Sequence, residues 1–168
     1  MQLGKGTEHQ SVLRAEHLIP HRRRMRLLEW VKNPTWKGLQ AETRVEASWP
    51  LNKGGVVSSL LGIELVAQAT SAMSTWRRGE GARPRVGLLV GIKEAEFFTP
   101  DLPLGIELTV RVEELYHVGT YAVFKGQVIS GSTIFCSAVI QVMEAEGDDF
   151  LDSLRLRRIQ GEGKEGGD

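Results

Sequence analysis

The sequence predicts an α+β fold in which one antiparallel sheet wraps a single long helix. Three observations carry this. Between Lys53 and Arg77 the chain holds one charged residue, Glu64, in a run that is otherwise apolar, small or uncharged polar. A surface helix carries charges on its outer face, so a helix here is buried nearly all round. Second, three segments after residue 105 alternate apolar and polar residues and are joined by short Gly-containing turns, the pattern of an antiparallel meander. Third, two strand-like segments precede the helix and about four follow it. A sheet long enough to curl around one apolar rod buries both.

The elements follow in order. Residues 1–12 are polar and are read as a disordered N-terminal segment. A short helical piece over 13–18 stops before Pro20. The basic run His21-Arg22-Arg23-Arg24-Met25-Arg26 is read as a solvated surface or as a docking patch for an acidic partner or a phosphate. Residues 25–31 read as a strand and 39–48 as its antiparallel neighbour, with a turn at Asn33-Pro34 between them. The helix is placed over 54–76, ending where Arg77, Arg78 and Gly79 suit a C-terminus. At helical spacing its longer polar groups, Glu64, Gln68, Ser71 and Thr75, form one row. Residues 85–98, 106–115, 121–130 and 133–143 are the later strands, with His117 in a turn. A short helix over 149–155 and a Gly-rich end complete the chain. Together these give a single domain over 13–146 in the arrangement called a hot dog, with a flexible tail over 147–168. One sheet edge stays open, which favours a homodimer or a higher even oligomer.

Composition narrows the function. Lys plus Arg and Asp plus Glu both number 21, so no net charge points to nucleic acid. A single cysteine, Cys136, excludes an internal disulfide, and no Cys/His cluster has zinc spacing. With no secretory leader pattern and no membrane span, since residues 54–76 hold an acid, a Gln and several hydroxyls, the expected location is the cytoplasm.

Three blocks of residues resemble the (3R)-hydroxyacyl-ACP dehydratases, in particular a divergent branch found beside specialised fatty-acid and polyketide-type pathways. They are Ile19-Pro20-His21-Arg22 with Leu27-Leu28-Glu29-Trp30-Val31, then Gly62-Ile63-Glu64-Leu65-Val66-Ala67-Gln68, then residues 91–98 with Pro103-Leu104-Gly105-Ile106-Glu107-Leu108. The resemblance implies elimination of water from a 3-hydroxyacyl thioester carried on the phosphopantetheine of acyl carrier protein, with no other cofactor. In that family a His takes the α-proton and an acid on the buried helix protonates the leaving hydroxyl. The acid matches Glu64, which burial is expected to keep protonated near neutral pH. The His does not carry over. Ungapped alignment puts Pro50 at its position, and alignment on the prolines puts Ser48 there. No histidine lies between His21 and His117. His21 itself reads as a structural hydrogen-bonding group. The family's helix-start Gly aligns with Ser59, whose backbone N–H is a candidate for the thioester oxygen.

The candidate site is therefore Glu64 and Ser48 for catalysis, with Ser59, Gln68 and Trp49 as substrate contacts. Three functions remain open at this point. They are a dehydratase with a reorganised site, a thioesterase using Glu64 to activate water, and a non-catalytic module that binds acyl chains or their carrier.

Overall fold

A computed structural model describes residues 11–145. The chain runs β1 (Val12–Arg14), β2 (Trp30–Lys32), β3 (Gly38–Arg44), β4 (Asn52–Lys53), β5 (Val56–Ser58), α1 (Leu61–Arg77), β6 (Gly87–Phe97), β7 (Asp101–Pro103), β8 (Glu107–Val118), β9 (Tyr121–Ser130) and β10 (Thr133–Glu144). Seven strands form one antiparallel sheet in the order β1-β2-β3-β8-β9-β10-β6, and β4-β5-β7 form a small second sheet. The meander predicted from the alternating segments is β8-β9-β10, with Val110 opposite Val128 and Ala138 opposite Gly126.

The helix begins seven residues later than the sequence suggested, at Leu61 rather than residue 54. Gly54 and Gly55 sit at φ +64° and +87°, outside helical space. The segment they begin folds into β5, which pairs with β4 and β7. The strand expected over 25–31 is also mostly absent. Residues Arg23–Met25 make a 3-10 turn, with Arg23 at φ +54°, and only Trp30–Lys32 joins the ladder. Here the backbone groups of Met25 and Leu27 bond to the Gln68 side chain in place of a neighbouring strand. The expected helical piece over 13–18 is β1 followed by a 3-10 turn, Ala15–His17. His117 lies within β8, one residue before its end at Val118, and the turn itself falls at Gly119 and Thr120. The helix expected over 149–155 lies outside the described residues.

Leu65, Val66, Ala69, Ala72 and Met73 of α1 are fully buried in a core shared with Val110, Val128, Cys136 and Ile140 of the sheet. Contact between the layers is close. A Cβ on Gly126 would stand 2.3 Å from Val66 Cγ1, so glycine alone lets the helix lie on β9. Each fully buried Leu or Met contributes roughly 1.5–3 kcal/mol, and this burial, rather than helix propensity, holds α1 in place.

The predicted polar row on α1 is divided. Gln68 and Thr75 turn inward and are buried, while Glu64, Ala67, Ser71 and Ser74 keep partial exposure. Spacings of three, four and three residues follow one line down a helix of 3.6 residues per turn, and this line faces an opening. At the far side of the sheet β6 is an open edge among the described residues, with Leu89, Val90 and Ile92 exposed.

Candidate active site

The open line of α1 forms one wall of a cavity of about 500 Å³. The opposite wall comes from β8, β9, β10 and β6, through Phe124, Val142, Met143, Leu88 and Leu89 among others. Between Glu64 and Arg77 the helix advances about 20 Å at 1.5 Å per residue, so the cavity is an elongated channel. Its two ends differ in chemistry.

At the N-terminal end of α1, Glu64 faces His21. The His21 Nε2 lies 3.3 Å from Glu64 Oε1, and both side chains are 30% exposed. Gln68, one turn further along α1 and fully buried, donates from Nε2 to the same Glu64 oxygen at 2.8 Å. The Gln68 amide cannot rotate freely. Its Oε1 accepts the Leu27 N–H at 3.0 Å and its Nε2 also donates to the Met25 carbonyl at 2.6 Å. Those bonds fix which end of the amide meets Glu64 and tie the irregular segment that carries His21 to the helix. The second Glu64 oxygen makes no hydrogen bond to the described residues, and His21 Nδ1 is buried without a partner among them. The result is a carboxyl group with one oxygen anchored and the other open, beside an imidazole. Such a pair can hold and pass a proton.

At the C-terminal end, Arg77 pairs with Glu114 of β8, side chains 15% and 18% exposed, and also donates to the Trp36 carbonyl. Arg78 and Arg85 flank Glu144 at 3.9 and 3.8 Å, and Ser74 donates to the same carboxylate. Burial pushes the Arg78 guanidinium below its usual pKa, opposed by the Glu144 charge. His117 also lines this end, with Nε2 2.9 Å from the Gly119 carbonyl oxygen.

The structure brings two of the sequence-predicted residues together, Glu64 and Gln68, and leaves three apart from the cavity. Ser48 is exposed, with its hydroxyl donating to Glu46 at 2.9 Å. Trp49 is packed in the core, and neither Ser48 nor Trp49 lines the cavity. The Ser59 N–H donates to the Pro100 carbonyl at 2.9 Å, so it is not free to meet a thioester oxygen. Glu64 is partly exposed rather than dry, because α1 is open along that line. His21 is the residue that sequence reasoning set aside. It comes from 43 positions upstream, on a segment whose path is set by Gln68. The signal available in the sequence was elimination: no other histidine lies between residue 21 and residue 117. Among the described residues no cluster of three or more His, Cys, Asp or Glu could hold a metal ion. No helix among them is long and apolar enough to cross a membrane.

Comparisons with known proteins agree on the fold. A subunit of the dehydratase heterocomplex ApeI:P from Xenorhabdus doucetiae superposes with a TM-score of 0.76 at 22% identity, covering 84% of this chain and 97% of that one. A hypothetical thioesterase from Streptococcus pneumoniae, solved with coenzyme A, gives a TM-score of 0.54 at 16% identity over 68% of this chain and 84% of its own. A thioesterase from Haemophilus influenzae gives 0.54 at 13% identity, over 70% and 78% respectively. The architecture is thus the hot-dog fold that the order of elements predicted. No curated protein sequence matches the chain. The family model described as ApeP-like, ApeP dehydratase, matches residues 13–154, nearly the whole chain and both members of the His21–Glu64 pair, and the protein belongs to that dehydratase family.

Proposed function

We propose that the protein eliminates water from a 3-hydroxyacyl thioester, with His21 and Glu64 as the reacting pair. The observation that carries this reading is the 3.3 Å contact between His21 Nε2 and Glu64 Oε1 at one end of an elongated cavity. The imidazole occupies the chemical role that the resemblance assigns to a histidine missing from its usual position. In the neutral pair, His21 Nε2 takes the proton from the α-carbon, and protonated Glu64 delivers one through its open oxygen to the departing β-hydroxyl. The Cα–Cβ double bond forms and water leaves. The proton gained by His21 is then exchanged back to the open oxygen of Glu64 through water, which restores the neutral pair. Gln68 holds Glu64 in place throughout and takes no proton.

The acyl chain lies along the open line of α1. The thioester arrives from the His21 side, where Arg23, Arg24 and Arg26 are exposed beside the site. That basic surface suits an acidic acyl carrier protein and the phosphate of its pantetheine arm. The open β6 edge, with its exposed Leu89, Val90 and Ile92, supports association through that strand. A second copy of this chain fits that edge, and so does a different hot-dog subunit. The similar Xenorhabdus protein belongs to a heterocomplex, which supports the second of these.

The test is incubation with a 3-hydroxyacyl-ACP while enoyl product and free thiol are both followed. Enoyl product that disappears in Glu64→Gln and in His21→Gln supports dehydration by this pair. Free thiol without enoyl product would replace the reading with thioester hydrolysis. Binding with neither product would reduce the protein to an acyl-carrier module.

A further inference from the structure

A second groove lies beside the C-terminal end of α1. It is lined by the β1 region and by the turn after the helix, including Leu13, Leu18, Trp76 and Pro84. Its volume is about 930 Å³, larger than that of the acyl channel. Among the described residues, Trp36 and Arg77 alone line both spaces. They are also bound to one another. Arg77 donates to the Trp36 carbonyl and pairs with Glu114, and the Trp36 ring meets Trp76 edge-on at 5.9 Å between centroids. Trp36 belongs to the short connection between β2 and β3 and is itself 68% exposed, so its ring lies on the surface against Trp76 rather than in the core.

We infer that Trp36 and Arg77 form a partition that ends the acyl channel and so sets the longest chain the site accepts. This rests on the reading of the channel as an acyl site. The physical reason is a change of solvent character at that point. From Glu64 to Ser74 a chain passes Ala67, Phe124, Val142 and Leu88, which favour methylene groups. Beyond Ser74 it meets a guanidinium–carboxylate pair that is largely withdrawn from water. An alkyl end pushed against that pair removes what hydration it has left and returns no hydrogen bond. The Trp36 ring closes the remaining way past. With the partition absent, the channel would continue into the second groove, where Leu13, Leu18, Trp76 and Pro84 offer an alkyl chain an apolar path between the charged Glu16, Arg22, Glu80 and Arg83.

The experiment uses the full-length protein and a graded series of straight-chain acyl-pantetheine thioether analogues, which bind but cannot react. Each methylene buried adds about fourfold to affinity, equivalent to about 0.8 kcal/mol. In the unaltered protein, affinity should climb with chain length and then stop climbing at one length. Trp36→Ala removes an exposed side chain and should fold normally. The double change Arg77→Met with Glu114→Gln removes the charges together and leaves neither unpaired. Both variants should move the break to longer chains and raise affinity for those chains by tenfold or more. An unmoved break in both variants, or a steady climb with no break in the unaltered protein, overturns the partition. Absence of binding at every length overturns the acyl-site reading itself, and the partition with it.

Discussion

Glu64 and Glu114 face the same cavity from its two ends, and they differ in what stands opposite. Glu64 meets an imidazole at 3.3 Å and a neutral amide at 2.8 Å, and the Glu64 and His21 side chains are both 30% exposed. Glu114 meets the guanidinium of Arg77 and is more deeply enclosed. An imidazole can be neutral or charged near physiological pH, whereas a guanidinium is charged at all times. The first carboxylate therefore sits in a pair between whose members a proton can move, and the second sits in a pair where none can. Two acids on one cavity thus differ in whether a proton can move within the pair, and the difference lies in their partners rather than in their own side chain.

The largest test of that contrast is on rate. Glu64→Gln keeps the Gln68 bond and removes the acid, so dehydration should fall by about a hundred- to ten-thousandfold while the melting temperature barely changes. His21→Gln should do the same, and the double variant should be little worse than either single one, because the two groups act as a unit. A loss equal to the product of the single losses would show that the pair does not work together.

Gln68→Leu is next. It leaves the Leu27 N–H unpaired in the core and removes the partner of the half-buried Met25 carbonyl, which should cost about 1–3 kcal/mol in a denaturant titration. It should also lower turnover by releasing both Glu64 and the His21 segment. A stable variant with full activity would remove Gln68 from the account. At the other end of the cavity the order of effects reverses. Arg77→Ala leaves Glu114 without its cation and should cost on the order of 2 kcal/mol of stability, read by thermal unfolding. Glu64→Ala, at the more open end, should cost less than this. If Glu64→Ala proved the more destabilising change, the division into working and structural acids would fail.

The smallest effect concerns Cys136, buried under Gly62 where helix meets sheet. Burial pushes its thiol up to about 11 from 9.0. The fold therefore favours the neutral thiol. That contribution to stability is complete below pH 9 and is lost as the pH rises through about 11. Native protein at pH 8 should resist thiol alkylation that unfolded protein accepts, and unfolding titrations at pH 8 and pH 10.5 should differ by up to about 2 kcal/mol.

The contrast between the two acids also explains how much of the site could be read in advance. Glu64 was visible because its neighbours in the chain are apolar, a local property of the sequence. Gln68 followed from helical spacing. His21 was not visible as a partner, since nothing near residue 21 indicates where its segment will lie. Ser48 and Ser59 were placed by counting along an alignment. Their actual surroundings depend on a bond to Glu46 and on the Pro100 carbonyl, neither of which spacing can supply. Arg77, Glu114 and Trp36 come from a helix end, a strand and a turn. They share a cavity only because α1 lies across the sheet.

What the sequence determined by itself was the fold: an apolar stretch with one acid needs cover, and alternating strands with short turns provide it. These patterns are periodic and short-range, so they survive without coordinates. What only the tertiary structure decided was which groups meet. The Gln68 bonds bring an irregular loop against the helix, and the pitch of α1 turns Glu64 and Ser74 toward an opening while burying Gln68 and Thr75. Such contacts join residues far apart in the chain through the packing of one element on another, and no local pattern of residues encodes that packing.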